Sequence, residues 1–327
     1  MHVIDVDAIL EELRKVNAIR VLVQSPEGLR EEALKLADFL EEHGIEAILQ
    51  GNVNYGACDP ADHEARLLGC DAVLHLGHSK IPMAFEVPVI FVPAFADVDV
   101  VGALERNMGE IEKLGERIGL TTTIQHVNAL ENAATFLRAR GFDVVIGEGD
   151  SRVEWPGQIL GCNFSAANVD VDGLLFIGSG RFHPLGLAVA VKKPVLAVNP
   201  YSGDAFWPSD EVGRFVRKRW AQIAMAMDAR NFGVITSIKK GQLRLNEARK
   251  ILKLLRDNGR KAKLLVMDVV SYPDLEGFDF EAYVVVACPR IAIDDVENWR
   301  KPVLTPPEVE ILLGLKEEYE FDEIRGV

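Results

Sequence analysis

Three stretches decide the fold: EVPVIFVP at 86–93, KKPVLAVNP at 192–200 and RKPVLTPP at 300–307. Each is a short apolar run closed by proline, which cannot donate to a β-ladder and is tolerated at strand ends, so each reads as a short buried strand. Their first prolines, Pro88, Pro194 and Pro302, lie 106 and 108 residues apart. A unit of roughly 100 residues therefore recurs three times.

Upstream of each stretch the same signals follow one another. An apolar β run comes first: IRVLVQS (19–25), LTTTIQHV (120–127) and FGVITSI (232–238). A helix with apolar residues three and four apart comes next and stops at Gly44, Gly141 or Gly259, the usual left-handed residue past a helix end. A second strand follows at once (IEAILQG, FDVVIGEG, AKLLVMD), and then a third: CDAVLHLGHS (70–79), DGLLFIGSG (172–180) and EAYVVVACP (281–289). Continuous Val, Ile and Leu runs point to parallel strands covered by helices on both faces. The expected fold is α/β, three related βαβ-type domains at 1–100, 101–204 and 205–327, packed around a central pseudo-threefold cavity. A helix containing Phe215, Val216, Trp220, Ile223 and Met227 opens the third span and should lay its apolar stripe on the core. The acidic run KEEYEFDE (316–323) reads as a solvated helix face.

Composition narrows the function. Lys and Arg number 36 against 50 Asp and Glu, a net charge of −14, so no overall basic field exists to hold nucleic acid or anionic lipid. No apolar run reaches the roughly 18 to 20 residues of a membrane span, and MHVIDVDAILEELRKV is an amphipathic helix rather than a signal peptide, so a cytoplasmic location is expected. Four cysteines in so long a chain are too few and too scattered for a disulfide framework.

Ligands of parallel sheets bind at the carboxyl ends of the strands. Cys58, in NVNYGACDP, and Cys162, in GQILGCNFSAA, both follow the second strand of their unit and lie 104 residues apart, nearly the repeat period. Cys288, in VVVACPR, ends the third strand of its unit on the same edge. Three thiols, one per domain, facing one cavity form the ligand set of a metal centre, and thiolates suit iron–sulfur clusters and zinc. Three cysteines on a 4Fe-4S cluster would leave one iron open to substrate. Cys70 opens a strand at the other edge and reads as core.

YGACDP, QILGCNFSA, GSGRFHPLGLAVA (178–190), NPYS (199–202), ITSIKKGQ (235–242) and VVACPRIAID (285–294), in that order, resemble the archaeal diphthamide biosynthesis enzymes, the 2-(3-amino-3-carboxypropyl)histidine synthases. The resemblance covers essentially the whole chain. It implies a homodimer of triplicated α/β subunits, a 4Fe-4S cluster on Cys58, Cys162 and Cys288, and S-adenosylmethionine as co-substrate. The implied activity moves the aminocarboxypropyl group, as a radical released by the reduced cluster, onto the C2 carbon of a histidine in elongation factor 2. Methylthioadenosine is left behind, and an electron-donor protein or other reductant is needed. The CxxxCxxC motif of ordinary radical enzymes of this cofactor is missing from the sequence.

Other residues carry weaker signals. Aligned third strands set His78 and Ser179 opposite Cys288, as pocket residues or as hydrogen-bonded structural ones. Gly178, Ser179 and Gly180 form a turn whose N–H groups could approach the carboxylate or ribose of the cofactor. His183 either serves the imidazole chemistry or starts a helix. Arg290, beside Cys288, is a carboxylate clamp or a surface ion pair. Quinolinate synthase and hydroxymethylbutenyl diphosphate reductase share the three-domain, three-cysteine architecture without the motif blocks, and an α/β binding protein with incidental cysteines is the alternative outside enzymes.

Overall fold

The computed structural model describes residues 2–326. Its described residues form three large sheets with one strand order, besides a two-stranded antiparallel pairing of His2–Val3 with Phe95–Ala96. In the first, Glu46–Leu49, Arg20–Gln24, Ala72–Leu76 and Val89–Val92 lie side by side, all parallel. The second orders Asp143–Ile146, Arg117–Thr122, Gly173–Ile177 and Val195–Val198 the same way and adds Ala205–Phe206 antiparallel at its edge. The third runs Lys261–Met267, Asn231–Ser237, Ala282–Val285 and Val303–Leu304, again parallel. The mixed α/β class with three parallel-dominated sheets is thus the observed one.

The repeat extends to single atoms. The carbonyls of Pro88, Pro194 and Pro302 accept from the amides of Val73, Leu174 and Tyr283 at 2.8, 2.9 and 2.9 Å. Proline enters each ladder as an acceptor only, immediately before the fourth strand, where its missing N–H costs nothing. The helices Arg30–Glu42, Leu130–Arg138 and Leu245–Asp257 bury Leu40, Leu137 and Leu255 and end before Gly44, Gly141 and Gly259, all at positive φ. The residues after these glycines return a hydrogen bond to the same three leucine carbonyls, closing each helix alike.

Four local readings are corrected. The first strand of unit two is Arg117–Thr122, and Ile124–Ala129 is a 3-10 helix rather than the end of a β run, because the neighbouring strand stops at Ile177 and offers no further partner. In unit three the edge strand is only Val303–Leu304. Thr305 then caps helix Pro306–Leu312 through a capping box with Glu308, so Pro306 and Pro307 start a helix instead of closing a strand.

In the connecting helix Ser209–Met225, Ile223 is buried while Trp220 and Met227, the latter past its end, are exposed. The deeply buried side chain there is Arg219, whose guanidinium bonds both oxygens of Glu308 at 2.7 Å and the carbonyls of Ala292 and Val303. The fourth correction concerns residues 316–323, which form no helix; Phe321 and Asp322 are buried against units two and three.

Candidate functional site

Parallel strands send all their following loops to one edge. Cys58 lies in the loop after Glu46–Leu49 and Cys162 in the longer excursion after Asp143–Ile146, while Cys288 caps helix Pro289–Ile293 just beyond Ala282–Val285. All three, each half-buried, line one cavity of about 310 Å³ together with His78, His183, Arg152 and Arg290. Cys70 does not reach it and packs with Leu22, Ala65 and Val73.

Each cysteine loop is held from elsewhere. The amide of Gly241 donates to the Cys58 carbonyl at 2.9 Å, and Gln242 Nε2 donates to Cys58 Sγ at 3.3 Å. A Cβ at position 241 would stand 2.5 Å from Cys58 Cα, so only glycine allows this approach. Next to it, Lys239 pairs with Asp59 at 2.7 Å, both largely buried. The Cys162 carbonyl accepts from the Ile324 amide at 2.7 Å, and Asn163 Nδ2 donates to the Ile324 carbonyl at 3.0 Å. Arg244 grips Asp322 with both arms, at 2.7 and 2.8 Å, and reaches the carbonyl of Ala287, next to Cys288, at 3.3 Å. The segment 321–326 therefore straps two of the three cysteine loops.

The electrostatics favour protonated thiols in the bare site. Burial lifts Cys162 to about 11; the Arg152 cation works against this and Cys58 adds to it. Burial also raises Cys288, with Cys162 and Cys58 contributing, and raises Cys58 against its hydrogen bond from Gln242. The three thiols are close enough to feel one another, and a bound cation would replace their protons. His78 and His183 are drawn down to about 4 by burial, so both imidazoles are neutral near pH 7.

His183 stands in the first turn of helix Phe182–Val191, stacked on Phe176 with an interplanar angle of 11°. Arg290 lies over the Phe182 ring and pairs with Asp294. The Gly178–Gly180 turn, read as a backbone cradle facing the same cavity, stands outside it. Ser179 and Gly180 are exposed, and the Gly178 amide is already donated to the Val198 carbonyl at 3.0 Å. The serine that does line the cavity is Ser79, whose Oγ accepts from Gln158 Nε2 at 2.6 Å. Ser79, Gln158 and Arg152 were missed. Ser79 alone had a signal, its place beside His78.

The sequence model of the diphthamide synthesis protein family matches residues 25–325. The chain belongs to that family. It is 64% identical to the 2-(3-amino-3-carboxypropyl)histidine synthase of Pyrococcus horikoshii over all of this chain and 95% of that protein. It is 32% identical to the synthase of the same name from Methanocaldococcus jannaschii, over 97% of this chain and 90% of that one. A crystal structure of Dph2 from Pyrococcus horikoshii with a 4Fe-4S cluster superposes with a TM-score of 0.95 at 63% identity, covering all of this chain and 95% of that chain. Among the described residues no helix is long and apolar enough to cross a membrane.

Proposed function

We propose that this protein is the aminocarboxypropyltransferase of diphthamide biosynthesis. It takes the 3-amino-3-carboxypropyl group of S-adenosylmethionine to the imidazole C2 of a histidine in elongation factor 2. The observation that carries the reading is the meeting of three half-buried cysteines, one from each unit, at one cavity.

The residues fit a 4Fe-4S cluster. Among the described residues no three His, Cys, Asp or Glu side chains gather tightly enough for a single ion, whereas the thiolates of a cubane stand on separate irons. Cys58, Cys162 and Cys288 would hold three irons and leave the fourth to substrate, with Gln242 donating to one sulfur and Arg152 offsetting thiolate charge. Such a cluster, when reduced, supplies the electron that breaks the sulfonium's bond to the aminocarboxypropyl carbon and leaves methylthioadenosine.

The chain's own contribution is position. Loops held by Gly241, Ile324 and Arg244 fix the thiols, the kind of placement that dominates when a cofactor brings the reactivity. The reading brings with it elongation factor 2 as protein substrate, a homodimer, an electron-donor protein and a cytoplasmic location. The test is anaerobic incubation of the reconstituted protein with S-adenosylmethionine, dithionite and archaeal elongation factor 2. One aminocarboxypropylated histidine, with methylthioadenosine formed alongside, is expected by peptide mass spectrometry; 5′-deoxyadenosine as the main product would overturn the bond selectivity.

A further inference from the structure

The cavity is charged in one sense only. Among the described residues two arginines line it and no carboxylate side chain does, in a chain of net charge −14. The two cations are differently committed. Arg290 is paired with Asp294 and laid over Phe182. Arg152 makes no ion pair with a carboxylate among the described residues; it gives one long bond, 3.3 Å, to the Gly241 carbonyl and leans on the Cys162 thiol, while its Nε–H is buried with no partner. A buried guanidinium donor left open is costly unless something with two acceptor oxygens completes it.

A second group faces the cavity with a fixed sense of hydrogen bonding. Gln24 is oriented by two backbone groups: its Nε2 donates to the Asp59 carbonyl at 2.8 Å, and its Oε1 accepts from the Ala61 amide at 3.1 Å. His75 Nδ1, 2.7 Å from that same Oε1, must therefore carry the proton. In a neutral ring this leaves His75 Nε2 as an acceptor, so His78 Nδ1, 3.1 Å away, is the donor and His78 Nε2 is bare. Burial keeps His75 well below its ordinary value, with His78 adding to the effect, which is consistent with two neutral rings. A Cβ built on Gly56 would lie 4.0 Å from His78 Nε2 and 3.9 Å from Cys58 Sγ, so the bare nitrogen and the thiol border the same space.

We propose that Arg152 and His78 form a subsite for an α-amino-acid headgroup, the Arg152 fork taking its carboxylate and the bare His78 Nε2 accepting from its ammonium. The subsite rests on the functional reading above and would seat the methionyl end of S-adenosylmethionine beside Cys58. It assigns the carboxylate to Arg152 instead of Arg290, whose fork is already in use.

Anaerobic calorimetry on the cluster-loaded protein tests this with three probes: S-adenosylmethionine, its decarboxylated form and its des-amino analogue. Wild type should prefer S-adenosylmethionine to each by roughly ten- to a hundredfold, the range for one charge-assisted contact. Arg152→Gln should bind S-adenosylmethionine and the decarboxylated form within about threefold of each other, with Arg290→Gln keeping the wild-type preference. His78→Leu should lose discrimination against the des-amino analogue, and His78→Gln, whose Oε1 can stand where Nε2 stood, should restore it.

Iron content is measured on every variant. Should Arg152→Gln lose its cluster, Arg152→Lys replaces the fork by a point charge and should still lower the carboxylate preference several-fold. Full preference in Arg152→Lys and Arg152→Gln, or its loss in Arg290→Gln instead, overturns the assignment while the functional reading stands. Failure of wild type to bind S-adenosylmethionine at all would overturn both.

Discussion

The two edges of the three sheets have had opposite fates. At the amino edge the units are copies. Asp71 Oδ2 accepts the amides of Ile19 and Arg20 at 2.8 and 2.9 Å, and Asp172 Oδ2 accepts those of Glu116 and Arg117 at 3.0 and 2.8 Å. Glu281 Oε2 does the same for Arg230 and Asn231. Each acid immediately precedes the third strand of its unit and ties it to the start of the first.

At the carboxyl edge little repeats. Two cysteines follow second strands and one follows a third, and the turns 77–79 and 178–180, equivalent in the repeat, face the cavity in one unit and solvent in the other. The difference separates two kinds of residue: those that hold a unit together can be used three times over, whereas those that build one asymmetric site must differ from unit to unit.

The sharpest way to break this division is at the cysteines. Cys58→Ala, Cys162→Ala or Cys288→Ala should each abolish cluster retention, read as iron and sulfide after anaerobic reconstitution, while the thermal transition of the bare protein moves little. Retention by Cys288→Ala would move the site away from unit three. Gly241→Ala should come next: the added methyl needs the space of the Cys58 backbone, so iron content should drop severalfold with all three thiols still present. Normal iron would mean that the loop can give way.

At the other edge the effects concern stability alone. Cys70→Ala removes a sulfur from the small core beneath Leu22 and Val73 and should cost about 1 to 2 kcal/mol in urea unfolding, with iron unchanged. The smallest effect belongs to Asp71. The Ile19 and Arg20 amides hold its carboxyl below the ordinary value of 3.8. Its contribution is therefore complete above that value and is lost as pH falls through the lower folded one. Asp71→Asn should flatten the acid limb of the stability curve below about pH 4 by well under 1 kcal/mol, since the group is open to solvent. The cost of the substitution should be present at pH 7 and fade toward pH 2; an effect as large at pH 2 as at pH 7 would show that shape, not charge, does the tying.

The repeated features were the legible ones. The order of elements along the chain, the glycines past three helices and the prolines before the fourth strands all follow from local rules that the sequence states three times. The cysteines could be placed because the repeat period and the strand ends constrain them. What escaped depends on contacts across great sequence distance: Gln242 meets Cys58 across 184 positions, and Asn163 meets Ile324 across 161. No local pattern encodes these. Arg152 sits in a stretch, SRVEWPG, with no periodicity to flag it, and only its open Nε–H marks it out. Residues 316–323 misled for a related reason: their acidity suits a solvent-facing helix, but Asp322 is matched by the buried guanidinium of Arg244.

The strap at 321–326 also sets an order of events. A nascent chain that has just exposed Cys288 already holds all three thiols, yet the carbonyl of Cys162 has no partner from Ile324 and Arg244 has no Asp322 to hold it against Ala287. The metal pocket is therefore complete only once residues 321–326 are in place. Iron delivered before that segment has docked would meet loose thiols, so cluster loading is expected to follow its docking rather than precede it.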